Sequence, residues 1–210
     1  MDGIDEEAYE AQMITINYLY YNNHELFNRV RDYFWNRDYQ LLFVDDGSQR
    51  EPLDPSMLRN DWRLVRVNED LPWSYNVARN VAMKNVDTPW ALCMDLDHVP
   101  NEELLSNMKS ALSRCDRRKL NLISRVKYTG ELKPHYSQYI VWTSAFWQNG
   151  GYQEETTGYG QDFKFRRNWR FKQLNEKYKL HEIADGACDV ENRKGIRDIP
   201  LPGYTWKVLK

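Results

Sequence analysis

Cysteine is scarce: Cys93, Cys115 and Cys188 are odd in number, far apart, and form no CxxC pair. That argues against a disulfide framework and against a cysteine-based zinc site, and it fits a reducing cytoplasm. No apolar run approaches the roughly 20 residues that span a bilayer. The opening MDGIDEEAYEAQ is acidic and lacks the basic-then-apolar pattern of a secretory leader. A soluble, cytoplasmic protein is expected. An excess of either charge is also missing, since 29 Lys and Arg against 31 Asp and Glu leave a formal net charge of −2. No global attraction to nucleic acid or anionic membrane follows, so partners must be read from local sites. Internal repeats, low-complexity tracts and linkers are absent as well. What remains is a chain of 210 residues, 41% hydrophobic, able to bury one sizeable core, and a single domain over 1–210 is expected. Aromatics are abundant, with eight Trp and fourteen Tyr. Most are expected in the core, although such rings also stack on sugars and bases.

The pattern along the chain alternates. MITINYLYY (13–21) is strand-like, and 23–37 places Leu26, Phe27, Val30, Phe34 and Trp35 on a helical stripe. YQLLFVDDGS is a short apolar run ending in acidic and turn residues, as suits a strand covered on both faces. WRLVRVN (62–68) alternates as a strand. Ser74 is then expected to cap a helix with Val77, Ala78, Val81 and Ala82 inward and Arg79 and Asn80 turned elsewhere. After Thr88 and Pro89 comes another buried strand, WALCMDLD. This βαβαβ rhythm predicts an α/β fold: an open, mostly parallel twisted sheet flanked by helices, with right-handed crossovers.

In such sheets ligands bind outside the carboxyl ends of the strands. Two acidic clusters fall there: Asp45 and Asp46 after LLFV, and Asp95 and Asp97 after WALCM. Residues i and i+2 of an extended segment point to one side, so Asp95 and Asp97 can converge. Converging carboxylates suit Mg²⁺ or Mn²⁺ bridging to substrate phosphates. A lone DxD also arises as polar residues at a strand exit, and DDGS as a plain turn, so neither decides alone. CMDLDHV further resembles the first motif of haloacid-dehalogenase-type phosphatases. That family carries it on its first strand, whereas two strands and VDDGS precede it here.

The later motifs discriminate. In order, VDDGS, ARN, DLDH, NGGYQEE and GYGQDFKFRR resemble the successive motifs of GT-A-fold glycosyltransferases, particularly glycosyltransferase family 2. The last segment is also similar to the GxGxED region of the galactosyltransferase and chondroitin-synthase type, and the likeness spans roughly residues 13–175. It implies a GT-A nucleotide-diphospho-sugar transferase fold, with a nucleotide-binding half at about 13–100, an acceptor half at about 101–180 and a tail at 181–210. By the same resemblance Asp46, with Asp45 beside it, accepts a hydrogen bond from the base of a UDP-sugar, and Arg79 faces the diphosphate. Asp95 lies near the ribose or metal, and Asp97 is the principal ligand of Mn²⁺ or Mg²⁺, with a late histidine, His181, as a further ligand. Gly150 and Gly151 let the backbone approach the donor sugar, Glu154 or Glu155 touches sugar or acceptor hydroxyls, and Asp162 is the catalytic base. Three departures stand out: Gln161 where the family has Glu, His98 where a third acid is common, and YLYYNN in place of a Pro-containing turn.

The chemistry asks for these residue types. Glycosyl transfer passes through an oxocarbenium-like transition state, so a diphosphate must leave while a hydroxyl loses its proton. A metal on the DxD neutralises the leaving group, and a carboxylate at position 162, across the sugar, deprotonates the acceptor and implies inversion. The acceptor is left open among a glycan, a protein, a small molecule and a hydroxylated nucleobase in DNA. Alternatives are a non-catalytic nucleotide-sugar or glycan-binding module, which needs no base at 162, the phosphatase, and a nucleotidyl transferase, which lacks its Gly- and basic-rich first loop. Trp142, Trp147 and Tyr159 are candidates to stack on sugars. KFRRNWRFKQ is expected as a solvated helix face that, with SRCDRRKLNLISRVK, offers basic, aromatic-interleaved patches to an anionic acceptor.

Overall fold

The computed structural model describes residues 13–71, 74–127, 129–158, 160–184 and 199–210. In chain order its elements begin with β1 (Ile14–Tyr20), α1 (His24–Phe34), β2 (Gln40–Asp46), β3 (Arg63–Val67), α2 (Tyr75–Lys84), β4 (Trp90–Asp95) and β5 (His98–Pro100). They continue with α3 (Glu102–Ser106), α4 (Met108–Ser113), β6 (Leu120–Val126), β7 (Leu132–Trp142), α5 (Thr143–Gln148) and β8 (Thr156–Thr157). The chain closes with α6 (Gln161–Arg166), β9 (Phe171–Gln173), β10 (Lys179–Glu182), β11 (Ile199–Pro200) and β12 (Trp206–Val208).

The main sheet runs β12-β3-β2-β1-β4-β7-β6-β10-β5, with β9 added beside β6. β3, β2, β1 and β4 are parallel, and β7 and β12 are antiparallel to their neighbours β4 and β3. The chain steps from β1 outward to β2 and β3, then returns across the sheet to lay β4 on the other side of β1. That reversal makes the gap above β1 and β4 a topological switch point, where open α/β sheets bind ligands.

The central strands β1, β2 and β4 are buried on both faces, as their continuous apolar runs predict. One face carries Ile14, Ile16, Tyr18, Leu41 and Phe43 against α1, whose Leu26, Phe27, Val30 and Phe34 are all buried. Each such side chain contributes about 1.5–3 kcal/mol. Asn23 caps α1 by accepting the Leu26 N–H, and the helix stops at Phe34, which leaves Trp35 45% exposed instead of on the buried stripe. The other face carries Leu42, Val44, Val65 and Ala91 against Val77, Ala78, Val81 and Ala82 of α2. Arg79 and Asn80, expected to turn away, are buried too, because β1, β4 and the loop after α5 close over that side of the helix.

The segment 164–173 is not one helix face. α6 ends at Arg166, and a turn leads into β9, while Phe165 and Trp169 drop into the core. Of the tail, Leu64 N–H donates to the Lys210 carbonyl, and β12 covers the open edge of β3. Cys93 and Cys115 are unpaired thiols, and Cys188 lies outside the described residues. Among the described residues no helix is long and apolar enough to cross a membrane.

Candidate functional site

Asp45 and Asp46 end β2 with opposite surroundings, because successive side chains of a strand face opposite ways. Asp45 pairs in register with Arg66 of β3 and is fully buried. Its oxygens accept the Ser48 N–H at 2.9 Å, the Leu53 N–H at 3.0 Å, and Arg66 Nε and Nη2 at 3.0 and 2.8 Å. The following turn needs Gly47: at φ +74° a Cβ there would lie 2.2 Å from the Glu69 carbonyl oxygen. Asp46 accepts the Ser74 hydroxyl at 2.6 Å. Ser74 does sit at the N-cap of α2, but its side chain makes no capping bond and serves Asp46 instead.

From α2, Arg79 reaches under the end of β4. It is wholly buried, donating to Asn17 Oδ1 at 2.7 Å and to Tyr75 Oη, the Met94 carbonyl and Asp95 Oδ1 at 3.2 Å each. The guanidinium, expected against a diphosphate, is thus committed to the floor of the site and holds Asp95 from below. The Asp95 side chain is 30% exposed. Burial raises its carboxyl to about 6; Arg79 opposes this, Asp97 adds to it, His98 opposes it, and Asp162 adds to it. Asp95, its near neighbour Asp97 and the remote Asp162 therefore share one electrostatic environment.

Asp97 follows in the turn between β4 and β5, with Oδ1 2.6 Å from His98 Nδ1. Its carbonyl accepts the Ile183 N–H at 2.8 Å, which ties the turn to the end of β10. There Glu182 joins Asp97 and His98, their ligand-capable atoms lying within 4.8 Å of one another. His181, expected in this position, is exposed and is one residue out of step with Glu182 along β10.

Two further residues arrive through an irregularity. The β6–β7 register jumps from Leu122↔Tyr139 to Ser124↔Pro134, so extra residues of β7 bulge toward the carboxyl end of β4. The bulge sets Gln138 Nε2 2.7 Å from His98 Nδ1, and the Ser137 hydroxyl donates to Asp162 Oδ2 at 3.4 Å. Asp162 lies in the first turn of α6, where the helix dipole favours an anion, and Arg166 Nη2 is 3.5 Å from it. A chain of contacts thus runs from Asp97 through His98, Gln138 and Ser137 to Asp162. Gln161 is buried beside it, with Nε2 3.3 Å from Thr156 Oγ1.

Gly150 and Gly151 turn the chain after α5 at φ +85° and +61°. A Cβ on Gly151 would press on Asn80 Oδ1 at 3.1 Å, so this glycine permits close packing against α2. Glu154 is held by Asn80 Nδ2 at 2.6 Å and by the Tyr204 hydroxyl at 2.8 Å, whereas the Glu155 side chain is exposed. Trp142 sits at the other end of the sheet, edge-on to Trp90, with Arg117 over its ring, and is remote from Asp95. Trp147 is 38% exposed, and Tyr159 lies outside the described residues. A pocket lined by Met13, Trp90, Leu112 and Arg117 also opens at that far end, away from every carboxylate named above.

Residues 28–130, just short of half the chain, match a family model described as a glycosyl-transferase for dystroglycan. No curated protein matches the sequence. Among solved structures the chain superimposes on TarS of S. aureus with a TM-score of 0.62 at 16% identity, covering 80% of this chain and 36% of that one. The fragment of TarS residues 1–349 with UDP-GlcNAc gives 0.62 at 15% identity over 83% of this chain and 60% of that one. The same fragment with UDP gives 0.59 at 18% identity, over 80% and 60%. The chain has the GT-A fold. It spans roughly a third to three fifths of those structures' length.

Within this GT-A fold several site residues escape the sequence motifs: Asn17, Ser137, Gln138 and Glu182. Asn17 had a local signal, a lone amide inside the apolar strand at 14–20. Glu182 had the alternation of KLHE. Ser137 and Gln138 had none, since a strand bulge brings them in.

Proposed function

We propose that the chain is a metal-dependent glycosyltransferase that moves a sugar from a UDP-sugar to a hydroxyl acceptor with inversion. The observation that carries this reading is the run of contacts at the switch point of a GT-A sheet that links Asp97 through His98, Gln138 and Ser137 to Asp162, with Asp95 held from below by Arg79. The UDP and UDP-GlcNAc complexes of TarS support the choice of donor.

The donor set fits a divalent cation. Two carboxylates and an imidazole at Asp97, Glu182 and His98 suit Mn²⁺, which accepts nitrogen more readily than Mg²⁺ does, and the half-buried Asp95 lies alongside. Such an ion supplies Lewis-acid neutralisation of the departing diphosphate. Asp46 accepts from the uracil ring, while Asp45 locks the turn that presents it. Arg79 orients Asp95 from the floor rather than touching phosphate. Gly150 and Gly151 carry the loop past α2 toward the donor sugar, with Glu154 anchoring that loop and Glu155 facing outward. Asp162 takes the proton of the acceptor hydroxyl onto a carboxylate oxygen, and Ser137 and Arg166 hold that carboxylate in place. A base facing the anomeric carbon opposite the leaving group gives inversion. In this reading 13–100 bind the donor, 101–180 shape the acceptor side, and the tail from 181 supplies Glu182 and the edge strand β12.

The test is a panel of UDP-sugars incubated with the protein and Mn²⁺. One donor should be hydrolysed slowly without acceptor, and NMR of the anomeric proton should show the opposite configuration. Release of phosphate from simple monoesters, with no donor turned over, would overturn the reading in favour of a phosphatase.

A further inference from the structure

Ser137 lies where two runs of contacts meet, and the second enters from α2. Tyr75 and Arg79 stand one turn apart on that helix, so the ring and the guanidinium share a face. The Arg79 Cζ is 5.2 Å from the Tyr75 ring centroid, and Nη2 donates to the Tyr75 hydroxyl at 3.2 Å. That hydroxyl donates its own proton to the Ser137 carbonyl at 3.1 Å. Burial raises the phenol well above its ordinary value, so the proton stays in place. Asp95, Arg79, Tyr75, Ser137 and Asp162 thus form a continuous path beneath the site, separate from the one through His98 and Gln138. The path crosses at the bulge of β7. The ladder to β4 ends at Tyr139 and the ladder to β6 skips from Tyr139 to Pro134, so Ser137 takes its place from contacts such as this one rather than from strand register.

We propose that Tyr75 is a positioning residue of the reaction: its hydroxyl ties the bulge of β7 to Arg79 and so sets the reach between Asp95 on the donor side and Asp162 on the acceptor side. The inference rests on the transferase reading for the roles of those two carboxylates. Packing alone does not call for a hydroxyl here. The ring meets Tyr152 edge to face at 5.7 Å, a contact that phenylalanine makes equally well. What the oxygen adds is a donor and an acceptor used in opposite directions, joining a side chain of α2 to a main-chain carbonyl of β7. Without it Ser137, and the carboxylate that Ser137 holds, can drift while Arg79 keeps Asp95 in place through its bonds to Asn17 and the Met94 carbonyl. A misplacement of about 1 Å between reacting groups costs up to about 10²-fold in rate. Binding of the nucleotide at Asp46 does not pass through this link.

The test compares wild type, Tyr75→Phe, Ser137→Ala and the double variant, each as the full chain. Mn²⁺-dependent hydrolysis of the UDP-sugar that the wild type turns over gives kcat and KM, a UDP titration reads the donor site, and hydrogen exchange of backbone amides reads the bulge. Tyr75→Phe should lower kcat about 10- to 10²-fold with KM and UDP binding unchanged. In Ser137→Ala, where the path is already cut before Asp162, the same change should cost nothing further. Amide exchange at 136–138 and 161–163 should quicken about 10-fold in Tyr75→Phe, the scale of one hydrogen bond, with β1 and β2 unchanged. An unchanged kcat, effects that multiply in the double variant, or a loss of UDP binding in step with kcat would overturn the proposal. So would exchange that is unaltered at 136–138 or quickened throughout the sheet, the mark of a purely structural role. If the wild type turns over no UDP-sugar, the transferase reading falls, and the exchange response alone decides whether the Tyr75 link stands.

Discussion

Asp45 and Asp46 are neighbours that substitution should separate. In Asp45→Ala the Ser48 and Leu53 N–H groups lose their acceptor, at about 1–3 kcal/mol for each group left buried and unsatisfied. Arg66 loses its counter-ion, but its side chain is 22% exposed and keeps the Leu53 carbonyl, so it relaxes partly into water. The total is about 3–5 kcal/mol, the range for removing one partner of a buried pair. Whole-domain stability is about 5–15 kcal/mol, so the loss is a large share of it. With a urea slope of about 2 kcal/mol/M the midpoint falls by about 1.5–2.5 M. Asp46→Ala removes the bond from Ser74, costs about 1 kcal/mol, and should weaken UDP binding without comparable loss of stability. Urea unfolding followed by both Trp fluorescence and far-UV circular dichroism reads the first effect, and coincident transitions validate it. UDP titration without urea reads the second. Asp45→Ala within about 0.5 kcal/mol of wild type, or Asp46→Ala as destabilising as Asp45→Ala, would refute the division between a turn lock and a ligand.

Asp97→Ala should abolish the Mn²⁺-dependent quenching of Trp fluorescence by UDP, and unchanged quenching would remove Asp97 from the metal site. Asp162→Asn should bind donor normally yet transfer about 10²- to 10⁴-fold more slowly; normal turnover would dismiss it as the base. Because burial lifts the Asp95 carboxyl from 3.8 to about 6, the folded chain keeps a proton there that the unfolded chain has already released. The resulting stability is present in acid and lost as pH rises through about 6. The urea midpoint of wild type, measured relative to Asp95→Asn, should therefore fall between about pH 4 and 6.5, and a flat difference would show that Asp95 ionises normally.

The parallel core was legible because its signals are local. Apolar runs at 14–20, 40–46 and 90–95, with helical periodicity between them, fix which segments are strands and which faces are buried. Acidic residues at strand ends could likewise be placed at the ligand edge from the chain alone. Side-chain commitments could not. Arg79 reads as an outward cation on α2, yet β1 and β4 close over it and Asn17 and Asp95 take its donors. The stripe that seemed to include Trp35 ends one residue earlier, where the helix stops.

Residue order by itself settled the alternating architecture and marked the carboxylates at 46, 95, 97 and 162 as candidates for a site, since periodicity and residue type are properties of short stretches. Only tertiary structure decided which acid of the 45/46 pair is taken by Arg66 and which by Ser74, that Glu182 rather than His181 stands with Asp97, and that a bulge in β7 carries Gln138 and Ser137 to His98 and Asp162. Those choices depend on strand register and on contacts between segments far apart in sequence. A one-residue shift of register reverses the face a side chain occupies, and no local pattern records it.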